Sequence, residues 1–234
     1  MTNQAFWTLV GLEFRRTRRS LVRIGVVLVA IVVFALMAES TMSVLSFGLT
    51  VVGLAIGVQM PFDAIHDKLT GSLEVLTTLP VGATTLTGAR LTAVALGAAL
   101  GAVLPGVAGG IVGPVFLEDT SRVRIIIGAF LAAWVLLSSL SAALTAVVLR
   151  FKTKLLAAYS AIALFGVPFG GFYLVDRLFG GPLPLIQAVM TSDYTLAIAI
   201  GSAVVGSALI LTASFLLTRR GFEIYQPEPD AMDW

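Results

Sequence analysis

Few side chains in this sequence could carry out chemistry, and they are spread along the chain. One histidine, His66, and no cysteine are present among 234 residues. A zinc site built on histidines or thiolates, or an H-E-x-x-H helix, needs more of these residues than the chain has. The sequence therefore excludes such sites and a catalytic thiol, and it favours His66 as a solvated loop histidine.

Serine and lysine offer two further kinds of chemistry, nucleophilic attack and phosphate binding. Ser138, Ser139 and Ser141 lie in an apolar stretch without a base close by, where serine usually hydrogen-bonds a backbone carbonyl or a neighbouring helix. None of the three lysines follows a glycine, as the phosphate loop G-x-x-x-x-G-K-[ST] demands. Because the nucleotide-binding motif is missing, we expect no enzyme activity and no cofactor in this chain. The single histidine and the absence of cysteine predict no metal site.

The elements that must position these side chains are apolar. Hydrophobic residues make up 58% of the chain, charged residues make up 12%, and the mean hydropathy is +0.99. A soluble domain of this composition could not cover its surface with polar groups. The sequence therefore predicts a single-domain, all-α membrane protein over 1–234, and the formal net charge of +2 is too small to indicate a nucleic-acid partner.

Six apolar stretches are long enough to cross a hydrocarbon core, which takes about 20 helical residues. We place these transmembrane helices at 21–38, 41–60, 88–116, 124–149, 155–175 and 195–217. One helix over 24–60 would be about 55 Å long, far more than the hydrocarbon thickness. A tight turn near Glu39 is therefore expected between the first two spans.

The distribution of Lys and Arg predicts the orientation of these spans. With a cytoplasmic N-terminus, 12 of the 15 basic residues lie on the cytoplasmic side. Arg122, Arg124 and Arg177 lie on the opposite side. This positive-inside bias predicts a multi-pass protein with both termini in the cytoplasm, including the tail over 218–234.

Residues 1–20 form a predicted amphipathic helix at the membrane interface. Its apolar face holds Phe6, Trp7, Val10 and Phe14, and basic residues such as Arg15 and Arg16 follow. Two interpretations stay open, a basic anchor that only orients the first span and a connector helix that also touches a partner. Membrane lipid is a partner in both.

Two further features concern backbone packing. Residues 176–194 are apolar but broken by Gly180, Gly181, Pro182 and Pro184, which predicts either a re-entrant segment and external gate or a loop packed on the membrane surface. Small residues four apart, such as Gly53 and Gly57, let helices approach closely. They favour packing within the chain over a dimer seam, and so do the glycines around Pro105.

The longest cytoplasmic connection, residues 61–87, contains a short predicted helix over 72–78. Ser72 can cap its start after Gly71, and Pro80 ends it. Leucines recur every three residues along one stripe. About two helical turns are not stable alone in water, so this helix must lie on lipid, on the protein's own helix ends or on a partner.

This connection resembles the coupling connection of ABC-2 type transporter permeases. The pattern is an acidic residue, then Gly-Ser-Leu-Glu, a Leu two residues on, and Leu-Pro-Val. In this chain it consists of Asp67, Gly71, Ser72, Leu73, Glu74, Leu76, Leu79, Pro80 and Val81. The six-span plan, the basic amphipathic start and the broken segment before the last span are also similar to that family. The resemblance extends over essentially the whole chain.

The resemblance implies the permease subunit of an ATP-binding cassette exporter in a cell (inner) membrane, of prokaryotic type. A separate nucleotide-binding ATPase subunit would use ATP and Mg, and a second permease chain, identical or homologous, would complete the transporter. The implied ATPase-coupling residues are Asp67, Gly71, Ser72, Leu73, Glu74, Leu76, Leu79 and Pro80. The leucines would dock on the ATPase, Glu74 would make a polar contact, and the N-terminal helix would touch the same subunit.

Two other classes of function are open. One is a membrane scaffold or assembly factor that does not transport and docks a different soluble partner on the same helix. The other is an ion-coupled carrier, which is disfavoured because the assigned span interiors contain no Asp, Glu, Lys or His. The sequence leaves the substrate open, with a mild preference for hydrophobic or amphipathic cargo.

Overall fold

A computed structural model describes residues 4, 6–15, 17, 25–26, 29, 33, 41–70, 81–116, 122–150, 174, 177–178, 180 and 193–225. Regular secondary structure in these ranges is entirely α-helical. Five helices have defined bounds: α1 Thr41–Gly57, α2 Gln59–Thr70, α3 Ala83–Phe116, α4 Arg122–Arg150 and α5 Asp193–Tyr225. Residues 6–15 and 17 are also helical and are called the N-terminal helix.

Three of these helices are long and apolar enough to cross a membrane. The qualifying stretches are Ala83–Ile111 in α3, Arg122–Arg150 in α4 and Ile200–Ile224 in α5. Gly48–Gly57 and Pro61–Asp67 form a fourth if α1 and α2 are counted as one span bent by 44°. The predicted spans at 21–38 and 155–175, and the turn at Glu39, lie almost entirely outside the described residues, so six spans stay a prediction.

Two boundaries differ from those expected at the connection 61–87. Helix α2 occupies its first part, and α3 begins at Ala83 rather than at 88. The amides of Thr85 and Leu86 donate to the carbonyl of Gly82 at 2.9 and 3.2 Å, so the helix starts directly after that glycine. The predicted bound of 88 is the start of the apolar run, whereas the helix itself begins more than a turn earlier and includes Arg90, which is buried.

Glycines bring α1 and α3 into backbone contact. A methyl group added at Gly101 would lie 2.5 Å from the carbonyl oxygen of Gly53 and 2.6 Å from the amide nitrogen of Gly57. On the next turn, Gly53 faces the ring of Pro105. The small residues of α1 and this part of α3 are therefore used for packing within the chain, as expected.

Helices α3 and α4 are antiparallel and also pack through glycine. Gly106 lies against Phe130, Gly109 against Ala129, and Gly113 against Ile125. Later residues of α3 thus contact earlier residues of α4, so the end of α3 meets the start of α4. The other ends of α3 and α4 then lie together at the opposite side of the molecule.

Helix α5 contacts this group through its last turns. Ser214, Thr218 and Phe222 are buried, and a methyl group at Gly221 would lie 2.9 Å from the carbonyl oxygen of Leu149. Earlier in α5, apolar side chains such as Val205 and Leu209 are exposed. An exposed apolar surface of this kind is expected of a helix that faces lipid.

Candidate functional site

Five elements meet at one end of the helices, which we call the basic end. An apolar cluster joins the first turn of α3 to the last turns of α4 and α5 through Ala83, Leu86, Leu149 and Phe222. Leu9 of the N-terminal helix packs against the same cluster. Helix α2 reaches this end through Ala64, which packs on Leu144 and Val148 of α4.

The N-terminal helix lies on α3 along one face. Val10 is 4% exposed and packs with Ala89, Ala93 and Val94. Phe6, Leu9 and Phe14 cover the same cluster, whereas Trp7 and Arg15 are exposed. The predicted apolar face is therefore divided: Phe6, Val10 and Phe14 lie against α3, whereas Trp7 is 55% exposed and its ring meets only the edge of this surface at Phe6, with 5.4 Å between ring centroids.

A buried guanidinium lies where the N-terminal helix, α2 and α3 meet. Arg90 is 2% exposed, and its Nη2 donates a hydrogen bond to Oδ2 of Asp67 at 2.9 Å. Its Nη1 lies 3.7 Å from Oε1 of Glu13. A buried charge is very costly unless it is paired, so these carboxylates allow arginine to occupy this position in α3.

The two contacts of Arg90 are unequal. The contact with Asp67 has the short distance of a charge-assisted hydrogen bond. The contact with Glu13 is too long for one, and Nη1 has no hydrogen-bond partner among the described residues. The guanidinium is therefore hydrogen-bonded to α2, whereas only a longer-range electrostatic attraction connects it to the N-terminal helix.

A second acidic group links the same two elements. Asp63 lies one turn before Asp67 on α2, and its Oδ2 accepts a hydrogen bond from the Thr17 hydroxyl at 2.6 Å. Its Oδ1 accepts one from Nε2 of Gln59 at 3.1 Å. With i, i+4 spacing, Gln59, Asp63 and Asp67 share one face of α2, which meets the N-terminal helix and Arg90.

We call Glu13, Thr17, Gln59, Asp63, Asp67 and Arg90 the polar junction. Three carboxylates surround one guanidinium in it, and no group of three or more metal-ligating side chains is arranged around a metal position in the described part of the chain. The polar junction ties the N-terminal helix and α2 to the base of α3.

Of the predicted coupling residues, only Asp67 is among the residues that the structure describes. Asp67 is 5% exposed and belongs to the polar junction. The others, Gly71, Ser72, Leu73, Glu74, Leu76, Leu79 and Pro80, lie outside the described residues. Their docking role stays a prediction, and Asp67 faces Arg90 inside the protein.

The remaining predicted residues are placed only in part. Gly180 of the proposed external gate is exposed and has a φ of 69°, a conformation that glycine adopts readily. Gly181, Pro182, Pro184 and Arg16 lie outside the described residues. His66 is exposed as expected, but it lies in helix α2 rather than in a loop.

Most of the polar junction was not among the predicted site residues. From the sequence, Arg90 is only one of the twelve basic residues predicted on the cytoplasmic side, and Glu13 is not a predicted site residue. One partial signal was available: Gln59, Asp63 and Asp67 are spaced four residues apart, and Arg90, 23 positions after Asp67, opens an apolar run. No protein-family model matches the chain, and no curated protein matches it significantly.

Proposed function

We propose that this chain is the transmembrane permease subunit of an ATP-binding cassette exporter. A separate ATPase subunit docks on residues 71–80, and a second permease chain completes the transporter. The proposal is supported by the apolar composition, by three helices long enough to cross a membrane and by the resemblance of residues 67–81 to an ABC-2 coupling connection. The proposed substrate is hydrophobic or amphipathic.

The observation that carries the proposal is the hydrogen bond between Arg90 and Asp67. Helix α2 leads directly into residues 71–80, and Asp67 lies one turn before that segment. A force applied there reaches α3 through a short, buried charge pair. A docking helix needs such a connection in order to move a membrane span. A bound partner shifts a conformational equilibrium only when it interacts differently with the two conformations.

The arrangement of charge supports a cytoplasmic location for the basic end. Arg90, Arg150, Arg219 and Arg220 lie on the helix ends that meet there, whereas Arg122 begins α4 at the opposite end. This bias follows the positive-inside rule. The ATPase, with its ATP and Mg, would then approach the polar junction from the cytoplasm, and closure of the ATPase pair would rock the spans as rigid bodies.

The test is to purify the chain with the ATPase encoded beside its gene and to measure ATP hydrolysis in lipid. Leu76→Asp should abolish association, and Glu74→Ala should weaken it. Val123→Asp, an exposed position at the opposite end, is the matched control and should leave both association and hydrolysis unchanged. Failure of any ATPase to co-purify, or full hydrolysis in Leu76→Asp, would contradict the proposal; association without substrate movement would indicate a scaffold.

A specific observation keeps an ion-coupled carrier as the second candidate. Glu13, Asp63 and Asp67 lie outside the predicted spans, but their carboxylates are packed among the helices at the basic end. Each one is engaged, by Arg90 or by Thr17 and Gln59. Substrate uptake into vesicles driven by a pH gradient, without ATPase or ATP, would favour this candidate over the exporter.

A further inference from the structure

The break between α1 and α2 coincides with a proline. Helix α1 ends at Gly57, Val58 is a turn residue whose amide donates to the carbonyl of Leu54 at 3.0 Å, and α2 begins at Gln59. In a continuous helix the carbonyl of Gly57 would accept a hydrogen bond from residue 61. That residue is Pro61, which has no N–H and whose ring crowds the same carbonyl.

A side chain from another helix takes the place of the missing donor. The hydroxyl of Ser141 on α4 donates to the carbonyl oxygen of Gly57 at 2.9 Å, and Ser141 is 0% exposed. A backbone carbonyl buried among apolar helices is strongly destabilising when it is left without a hydrogen-bond partner. The bond between Ser141 and Gly57 therefore removes the main penalty of breaking the helix at this point.

Close packing holds Gly57 and Ser141 in register. A methyl group added at Gly57 would lie 2.7 Å from Cδ1 of Leu137, one turn before Ser141 on α4. Leu137 is 1% exposed. Glycine at 57 thus lets α4 come near enough for the Ser141 hydroxyl to reach the carbonyl.

We propose that Ser141 is a positioning residue: its bond to Gly57, made possible by Pro61, sets the direction in which α2 leaves α1. The direction matters because α2 must bring Asp63 and Asp67 to Thr17 and Arg90. Ala64 on the same helix packs against Leu144 and Val148 of α4. The geometry of Ser141, Gly57 and Pro61 belongs to this chain alone and does not depend on whether an ATPase binds at the basic end.

The chain has no cysteine, so two introduced cysteines can be spin-labelled cleanly. Met42→Cys on α1 and His66→Cys on α2 are exposed positions, and their distance in lipid nanodiscs follows the bend. His66 lies about 10 Å along α2 from the break, so each 10° of change moves it by about 2 Å. Ser141→Ala should shift or broaden the distance distribution, and Ser141→Thr, which keeps the hydroxyl, should restore it.

Two further variants separate positioning from general loss of packing. Ser139→Ala is the matched control, since its hydroxyl is buried on the same helix and has no hydrogen-bond partner among the described residues; it should leave the distances unchanged. In a Pro61→Ala background residue 61 regains its N–H, and Ser141→Ala should then have little further effect. An unchanged distribution in Ser141→Ala, or an equal effect in both backgrounds, would overturn the proposal.

Discussion

Arg90 and Asp67 are joined by a buried hydrogen bond of 2.9 Å between Nη2 and Oδ2. The bond connects the base of α3 to α2 across 23 positions of sequence. Because both side chains are nearly inaccessible to solvent, the charge of each one is balanced chiefly by the other and by neighbouring groups of the polar junction. Removing either partner leaves an uncompensated charge inside the protein.

Asp67→Ala should therefore destabilise the protein by about 3 to 5 kcal/mol, the usual cost of breaking a buried ion pair. The free energy of unfolding in detergent micelles, measured by denaturant titration, tests this value. Glu223→Ala is the matched control, because it breaks the exposed pair with Arg219 and should cost about 0 to 1 kcal/mol. Equal effects of the two substitutions would show that the Asp67 pair is not buried as described.

The two acidic partners of Arg90 should also differ from each other. Double-mutant cycles that combine Arg90→Met with Asp67→Asn, and Arg90→Met with Glu13→Gln, isolate the two coupling energies. The coupling to Asp67, at 2.9 Å, should exceed the coupling to Glu13, at 3.7 Å, since only the shorter contact is a hydrogen bond. A larger coupling to Glu13 would require the N-terminal helix to lie closer to α3 than it does.

Gly101→Ala should disrupt the contact between α1 and α3. The added methyl group would meet backbone atoms of Gly53 and Gly57 at 2.5 and 2.6 Å, and backbone cannot move aside as a side-chain end can. We expect a loss of about 1 to 3 kcal/mol or more in unfolding free energy. Gly128→Ala, with nothing within 4 Å of its added methyl group, should be neutral or slightly stabilising, and an equal loss there would contradict the close approach.

Labelling of single cysteines tests the orientation of the helices. His66→Cys at the basic end should react with a membrane-impermeant thiol reagent only when the cytoplasmic face is open. Val123→Cys at the start of α4 should react from the outside of intact cells, because the positive-inside rule predicts that the basic end lies in the cytoplasm. The opposite pattern would reverse the topology and remove the ATPase from reach of α2.

Apolar length predicts both ends of α4 and the start of α5 within two residues, because a span needs only a long run without charges. In contrast, α3 begins five residues before its predicted start at 88, and α5 continues eight residues beyond its predicted end at 217. The polar junction depends on contacts between residues far apart in the chain, such as Glu13 and Arg90, and no local pattern contains them. The apolar run does not contain the early start of α3, and the burial of Arg90 becomes evident only when Asp67 is seen beside it. Of the candidate coupling site, only Asp67 can be compared with the structure, and it faces inward.

The contact of Gly53 with Gly101 has a mechanical consequence. Backbone meets backbone there, so no flexible side chain lies between Gly53 and Gly101 that could change rotamer and absorb a displacement. The two helices must therefore translate and tilt together as one rigid body. A displacement of α2 therefore reaches α3 by two routes, the Arg90 charge pair at the basic end and this rigid crossing further along the helix.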